Sequence, residues 1–215
     1  MNIDVTRLLG VVKRETSTRE REGSPVAVVL ASRAYDTRIE DLWDAMTNPE
    51  RIPRWLAPVS GDLKAGGRYA LEGNATGTIT RCAPPRELSL TWEYAGTTSW
   101  VEVRLEEEAR GRSVLRLEHI YQPWDEFERK YGPGAGGVGW ELSLVGLDFH
   151  LASPAEAPTT AELEAWLRTE DGRALIRGAS DGWGAAAIAA GTPEVAAREA
   201  AQRTTEFYHD RARGV

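Results

Sequence analysis

Three histidines, one cysteine and eight tryptophans hold most of the chemistry open to these 215 residues. His119 follows Leu115 and Leu117 at intervals of two, so in a strand the three share one face, the covered one. An imidazole there could be a hydrogen-bonded core group, could orient a ligand, or could move a proton, because its ordinary pKa lies near neutrality. His119 is therefore the candidate acid or base. His150 falls with Gly139, Ser143 and Gly146 on the small-residue side of a helical stretch, and the same two readings, core or ligand contact, apply to it. His209 is expected at the surface. No two histidines have metal-ligand spacing and Cys82 is alone, so the expectation is no metal, no cofactor and no intrachain disulfide.

Trp55, Tyr69, Trp92, Tyr121 and Trp140 are the aromatic candidates. Singly each reads as core, since such a ring buries roughly 150–250 Å². As a set, joined by His119 and His150, they suit an apolar cavity with few polar groups, the usual form of a small-molecule site. Trp100 alternates with charged residues and should face outward, at an interface or beneath the tail. Gly132-Pro133-Gly134-Ala135-Gly136-Gly137 matches the dinucleotide pattern GxGxxG, but the polar run 125–130 stands where a buried strand is required, so the match is spurious. A flexible gate beside a pocket is the better use of those glycines. There is no GxSxG elbow and no phosphate-loop lysine motif. Any catalysis would rest on groups that only folding brings together.

The elements that must position these residues are legible from periodicity. A lead-in over 1–24, or an extra strand within it, precedes an apolar strand over 26–35. Thr37-Arg38-Ile39-Glu40 reads as a capping box for a helix carrying Leu42, Trp43 and Met46, and Asn48-Pro49-Glu50 starts a short second helix with Ile52, Trp55 and Leu56. Between 61 and 122 the period becomes two, with strands over 68–72, 76–82, 87–94, 98–107 and 113–121. Connections this short make neighbours antiparallel, with one apolar and one wet face. A polar, glycine-rich loop over 123–137, containing Trp124 and Tyr131, leads to a helix over 138–152. That helix is buried almost all round, with only Glu141 and Asp148 marking a wet edge. A linker at 153–158 opens an alanine-rich tail of three helices.

The formal charge of −7 and the scatter of basic residues exclude a cationic face, hence nucleic acid and anionic membrane as partners. Residues 1–4 lack a signal-peptide start and Leu8–Val12 is too short to span a bilayer, so a cytoplasmic protein without membrane insertion is expected.

A strand, two short helices, an antiparallel run and one long helix is the order of a helix-grip fold. Tyr35-Asp36-Thr37, Leu42-Trp43-Asp44-Ala45, Asn48-Pro49-Glu50-Arg51, Trp55-Leu56-Ala57-Pro58, Gly66-Gly67-Arg68-Tyr69, Leu90-Thr91-Trp92, Leu117-Glu118-His119 and Gly139-Trp140 carry a resemblance to the START-like (SRPBCC) superfamily. Within it the chain is similar to the branch of the heat-shock-protein-90 ATPase activator C-terminal domain, over residues 25 to 152. The resemblance implies an α+β helix-grip domain at 25–153, followed here by a helical extension at 154–215. The superfamily includes lipid and hormone carriers, aromatases and cyclases, a few hydrolases, and chaperone activators. The expectation is an apolar or aromatic small molecule bound between sheet and long helix by Trp55, Tyr69, Trp92, His119, Tyr121, Trp140 and His150. The alternatives are a chaperone-activator-like protein-interaction module, with a partner or a second copy of the chain meeting the extension, and a cyclase or hydrolase using His119.

Overall fold

The computed structural model describes residues 3–123 and 129–213; Trp124 and the run 125–128 lie outside them. In order come α1 (Val5–Gly10), β1 (Val12–Arg21), β2 (Ser24–Tyr35), α2 (Ile39–Thr47), a 3-10 turn (Ile52–Arg54) and β3 (Val59–Gly61). Then follow β4 (Arg68–Leu71), β5 (Thr76–Ala83), β6 (Glu87–Tyr94), β7 (Thr97–Ala109) and β8 (Arg112–Tyr121). The helices α3 (Gly134–Ala152), α4 (Thr160–Leu167), α5 (Glu170–Ala189) and α6 (Glu194–Arg213) complete the described chain. The strands form one eight-stranded sheet in the order β1-β2-β8-β7-β6-β5-β4-β3. The five strands expected from alternation stand within a residue or two of their predicted ends. The lead-in contains α1 and β1, and β3, only three residues long, had no pattern to announce it.

Register decides which residues share a face. Tyr69 pairs with Gly77, Ile79 with Leu90, Leu90 with Val101, and Val101 with His119. Tyr69, Ile79, Leu90, Val101 and His119 therefore point the same way, together with Leu115 and Leu117. Glu102, Arg104, Arg116 and Glu118 point the other way. The alternation has one exception on that polar side, where Ile120, opposite Trp100, is fully buried. The β6–β7 hairpin turns on Ala95-Gly96, both at positive φ (50° and 79°), the backbone that two-residue hairpin loops require and that glycine adopts without steric cost.

Two compact units are present: residues 1–31, 122–142 and 161–215 in one, 32–121 and 143–160 in the other. In the first, the predicted glycine-rich gate is instead helix. Gly134, Ala135, Gly136 and Gly137 are the first turn of α3. Close packing explains it: a Cβ on Gly137 would stand 2.1 Å from the ring of the fully buried Trp183. The expected wet edge of α3 also fails here, because Glu141 is 4% exposed and holds Arg14 of β1 in a two-armed ion pair, both arms 2.7 Å. Arg14 also donates to Val12 O and Leu9 O, so the pair is satisfied on several sides.

In the second unit the capping box fails. Thr37 Oγ1 donates to Asp41 Oδ2 at 2.7 Å, and Arg38, which stands at the cap, makes no side-chain cap bond. Asn48 does form its local turn, accepting from the Glu50 amide at 2.9 Å, but the chain then makes a single 3-10 turn rather than a helix. Gly146 of α3 lies against the Trp55 carbonyl, where a Cβ would come within 2.7 Å. Asp148, the other residue of the predicted wet edge, is 14% exposed and bound to Arg33.

Candidate functional site

Strands β6, β7 and β8 bring Trp92, His119 and Tyr121 together. The His119 ring centroid lies 6.4 Å from that of Trp92 and 5.6 Å from that of Tyr121, with interplanar angles of 59° and 57°. Those are tilted aromatic contacts, favourable for rings whose edges are positive and faces negative. Ser99 sits on the same face. Its hydroxyl donates to Trp92 O at 3.1 Å, and its oxygen lies 2.8 Å from His119 Nε2. With its proton committed to a carbonyl, Ser99 accepts from Nε2–H, so His119 is held in one tautomer. Burial lowers the His119 pKa to about 4, and the ring is neutral at neutral pH. A base that weak and a serine already donating elsewhere form no nucleophile and base pair.

Tyr69 is buried in β4, donates to Thr91 O at 2.8 Å, and has its pKa raised by burial. It belongs to a cluster with Ile52, Leu71 and Ile79, against which Leu56, Val59, Leu63, Leu88, Leu90 and Trp92 pack while staying half-buried. That incompleteness stands out on an interior strand. Val101, Val103 and Leu105 of neighbouring β7 are 1–4% exposed on this same face, whereas Leu88, Leu90 and Trp92 of β6 keep accessible apolar surface.

The other expected residues have partners of their own. Trp55 donates its indole N–H to Ala45 O at 2.9 Å and pins the loop after α2. His150 is 1% exposed and accepts from Arg51 Nε at 3.0 Å, and Arg51 also binds Asp41 and Asp44 at 2.8 and 2.9 Å. Burial, then the Arg51 and Arg54 charges, lower the His150 pKa, partly opposed by Asp41. His150 is thus an acceptor within an ion network. Trp140 is half-buried on the N-terminal half of α3, in the first unit. His209, expected at the surface, is half-buried, with its Nε2 3.3 Å from Arg173 O.

Two features escaped sequence reasoning. Arg33 is buried in the apolar strand β2, and its Nη2 binds Asp148 Oδ1 at 2.6 Å. A lone arginine between Val26 and Tyr35 was the available signal. The first unit holds a cavity of about 410 Å³ lined by Tyr131, Gly134, Ser180, Gly184, Ala197 and Ala201 among others, which alanine and glycine spacing alone does not reveal. No group of histidine, cysteine, aspartate and glutamate able to hold a metal occurs among the described residues, and no helix among them is long and apolar enough to cross a membrane.

An open antiparallel sheet with a long helix after its last strand defines an α+β protein of the helix-grip class, with an apolar sheet face as its candidate site. The chain belongs to the family described as Activator of Hsp90 ATPase homolog 1-like protein, whose family model matches residues 36–152. CalU16 from Micromonospora echinospora is 31% identical. Its crystal structure aligns over 84% of this chain and 99% of its own, with a TM-score of 0.63. The solution structure of the same protein aligns over 83% and 96%, with a TM-score of 0.68. DynU16, a protein in the dynemicin biosynthetic locus, shares the fold at 16% identity, covering 59% of this chain and 48% of its own with a TM-score of 0.54. No curated protein matches the chain.

Proposed function

We propose that this protein binds an apolar or aromatic small molecule against the sheet face formed by β4 to β8. The observation that carries this reading is the half-burial of Leu88, Leu90 and Trp92 on an interior strand, next to fully buried neighbours. Apolar surface left accessible in the middle of a sheet loses about 25 cal/mol for each Å² not covered, so a ligand that covers it gains that much. Trp92 and Tyr121 would clasp an aromatic guest by their edges, and neutral His119 would supply orientation without charge. The hydroxyl bonded to His119, that of Ser99, donates to a backbone carbonyl, which argues against its use as a nucleophile.

Native mass spectrometry of the purified chain, with N-phenyl-1-naphthylamine fluorescence beside it, tests the reading. A copurifying small molecule, or a dye response that falls in Leu90→Gln and Trp92→Ala while persisting in Val195→Arg on the exposed side of α6, supports it. A bare mass together with a silent dye overturns it and moves the weight to a protein partner, which the family description allows.

A further inference from the structure

Arg51 ties three elements together. It stands at the head of the 3-10 turn, and its side chain is 18% exposed. Nη1 donates to Asp41 Oδ1 at 2.8 Å and to Asp44 Oδ2 at 2.9 Å on α2, while Nε donates to His150 Nε2 at 3.0 Å on α3. The bond to α3 exists only while Nε2 carries no proton, because a doubly protonated imidazole has two donors and no acceptor. The single ring proton is then on Nδ1, which is fully buried and meets no acceptor among the described residues.

A second proton finds no place on this ring. At Nε2 it would point at the Arg51 donor, and at Nδ1 no carboxylate among the described residues holds the charge. Arg51 and Arg54 of the turn oppose a positive ring, Asp41 of α2 favours it in part, and Asp44 is engaged with Arg51. With His150 1% exposed, protonation therefore breaks the bond rather than leaving a charged ring in place. The bond also bears on the sheet face. Ile52, next in the chain to Arg51, is buried in the cluster with Tyr69, Leu71 and Ile79, and Leu56 and Ala57 pack against that cluster, as do Leu88, Leu90 and Trp92.

Resting on the binding reading above, we propose that His150 is an acid-released latch on the ligand site. Neutral, it holds Arg51 and so keeps the segment 52–57 seated on the apolar cluster; protonated, it frees that wall of the site, and the ligand leaves. The latch is closed above the ordinary histidine range and opens as pH falls toward the lowered folded value, where the imidazole takes up its proton.

Amide hydrogen exchange and dye binding on the full chain, each followed from about pH 7 down to about pH 4 beside the His150 imidazole resonance, test this. The Trp55 and Leu56 amides, both bonded to Ile52 O, report on the segment. As the ring takes up its proton their protection factors should fall about tenfold, the worth of a hydrogen bond to a charged donor, and the affinity for N-phenyl-1-naphthylamine should fall by a similar factor. His150→Gln, whose amide oxygen accepts from Arg51 Nε without titrating, should keep its protection, and any dye affinity it loses belongs to other groups, His119 among them. Arg51→Met, which has no latch to open, should show the low protection at both ends of the range. Unchanged protection while His150 titrates would overturn the latch, as would an equal fall in His150→Gln. Falling protection with constant dye affinity would overturn its control of the site. No dye binding at any pH would remove the binding reading and the regulation that rests on it, while the protection factors would still decide the latch.

Discussion

Acidification is the perturbation to which His119 answers most sharply. Burial holds its folded pKa down at about 4 against the ordinary 6.5. A lowered folded value means that the unfolded chain binds the proton first, so stability is fully present above about pH 6.5 and is lost as pH falls toward the folded value. The whole gap corresponds to about 3 kcal/mol, at about 1.36 kcal/mol per pH unit. Between about pH 7 and pH 5 the part due to His119 is about 2 kcal/mol. With a urea slope near 2 kcal/mol per molar, that moves the unfolding midpoint by about 1 M. Other groups also titrate over that range, His150 among them, so the comparison must be with His119→Gln, whose amide still donates to Ser99 without taking up a proton. Tryptophan fluorescence in urea at the two pH values should show the natural chain losing about 2 kcal/mol more than the variant. Parallel losses would refute the reasoning, because they would mean that His119 is solvated in the folded state.

Three further outcomes rest on packing and pairing. Glu141→Ala leaves the Arg14 guanidinium, 12% exposed, without its two-armed partner, and should cost about 3–5 kcal/mol in denaturant unfolding. Gly137→Ala puts a methyl into the Trp183 ring and should cost about 1–3 kcal/mol or more, with a shift in tryptophan emission, although alanine is the better helix former. Unchanged stability would show that Trp183 moves aside freely. Tyr69→Phe removes the bond to Thr91 O and should cost about 1 kcal/mol in the same unfolding assay.

Period-two alternation carried the sheet. Leu88, Leu90 and Trp92, then Val101, Val103 and Leu105, then Leu115, Leu117 and His119 were each assigned to one face, and the ladders join those faces in register. The site was only partly legible. Trp92, His119 and Tyr121 meet because neighbouring strands superpose their like-facing residues, a consequence of alternation. His150, placed by the helical wheel on the small-residue side, bonds Arg51, and Trp55 bonds Ala45 O. Residue type cannot reveal such partners, which lie 99 and 10 positions away.

Sequence by itself determined the five strands between 68 and 121, the antiparallel sense of those neighbours and the apolar side of the sheet, because backbone period and short connections are local properties. Tertiary structure alone decided which polar groups are buried and with whom. Glu141 and Asp148 looked wet on a helical wheel, yet arginines from distant strands hold both at 2.7 and 2.6 Å. The same holds for the glycines at the start of α3, which promised mobility and instead pack closely, Gly137 against the Trp183 ring and Gly134 against Thr204. The physical reason is common to all of them: whether a charge or a gap is stable depends on the group packed against it, and that group is chosen by the fold rather than by the neighbouring residues in the chain.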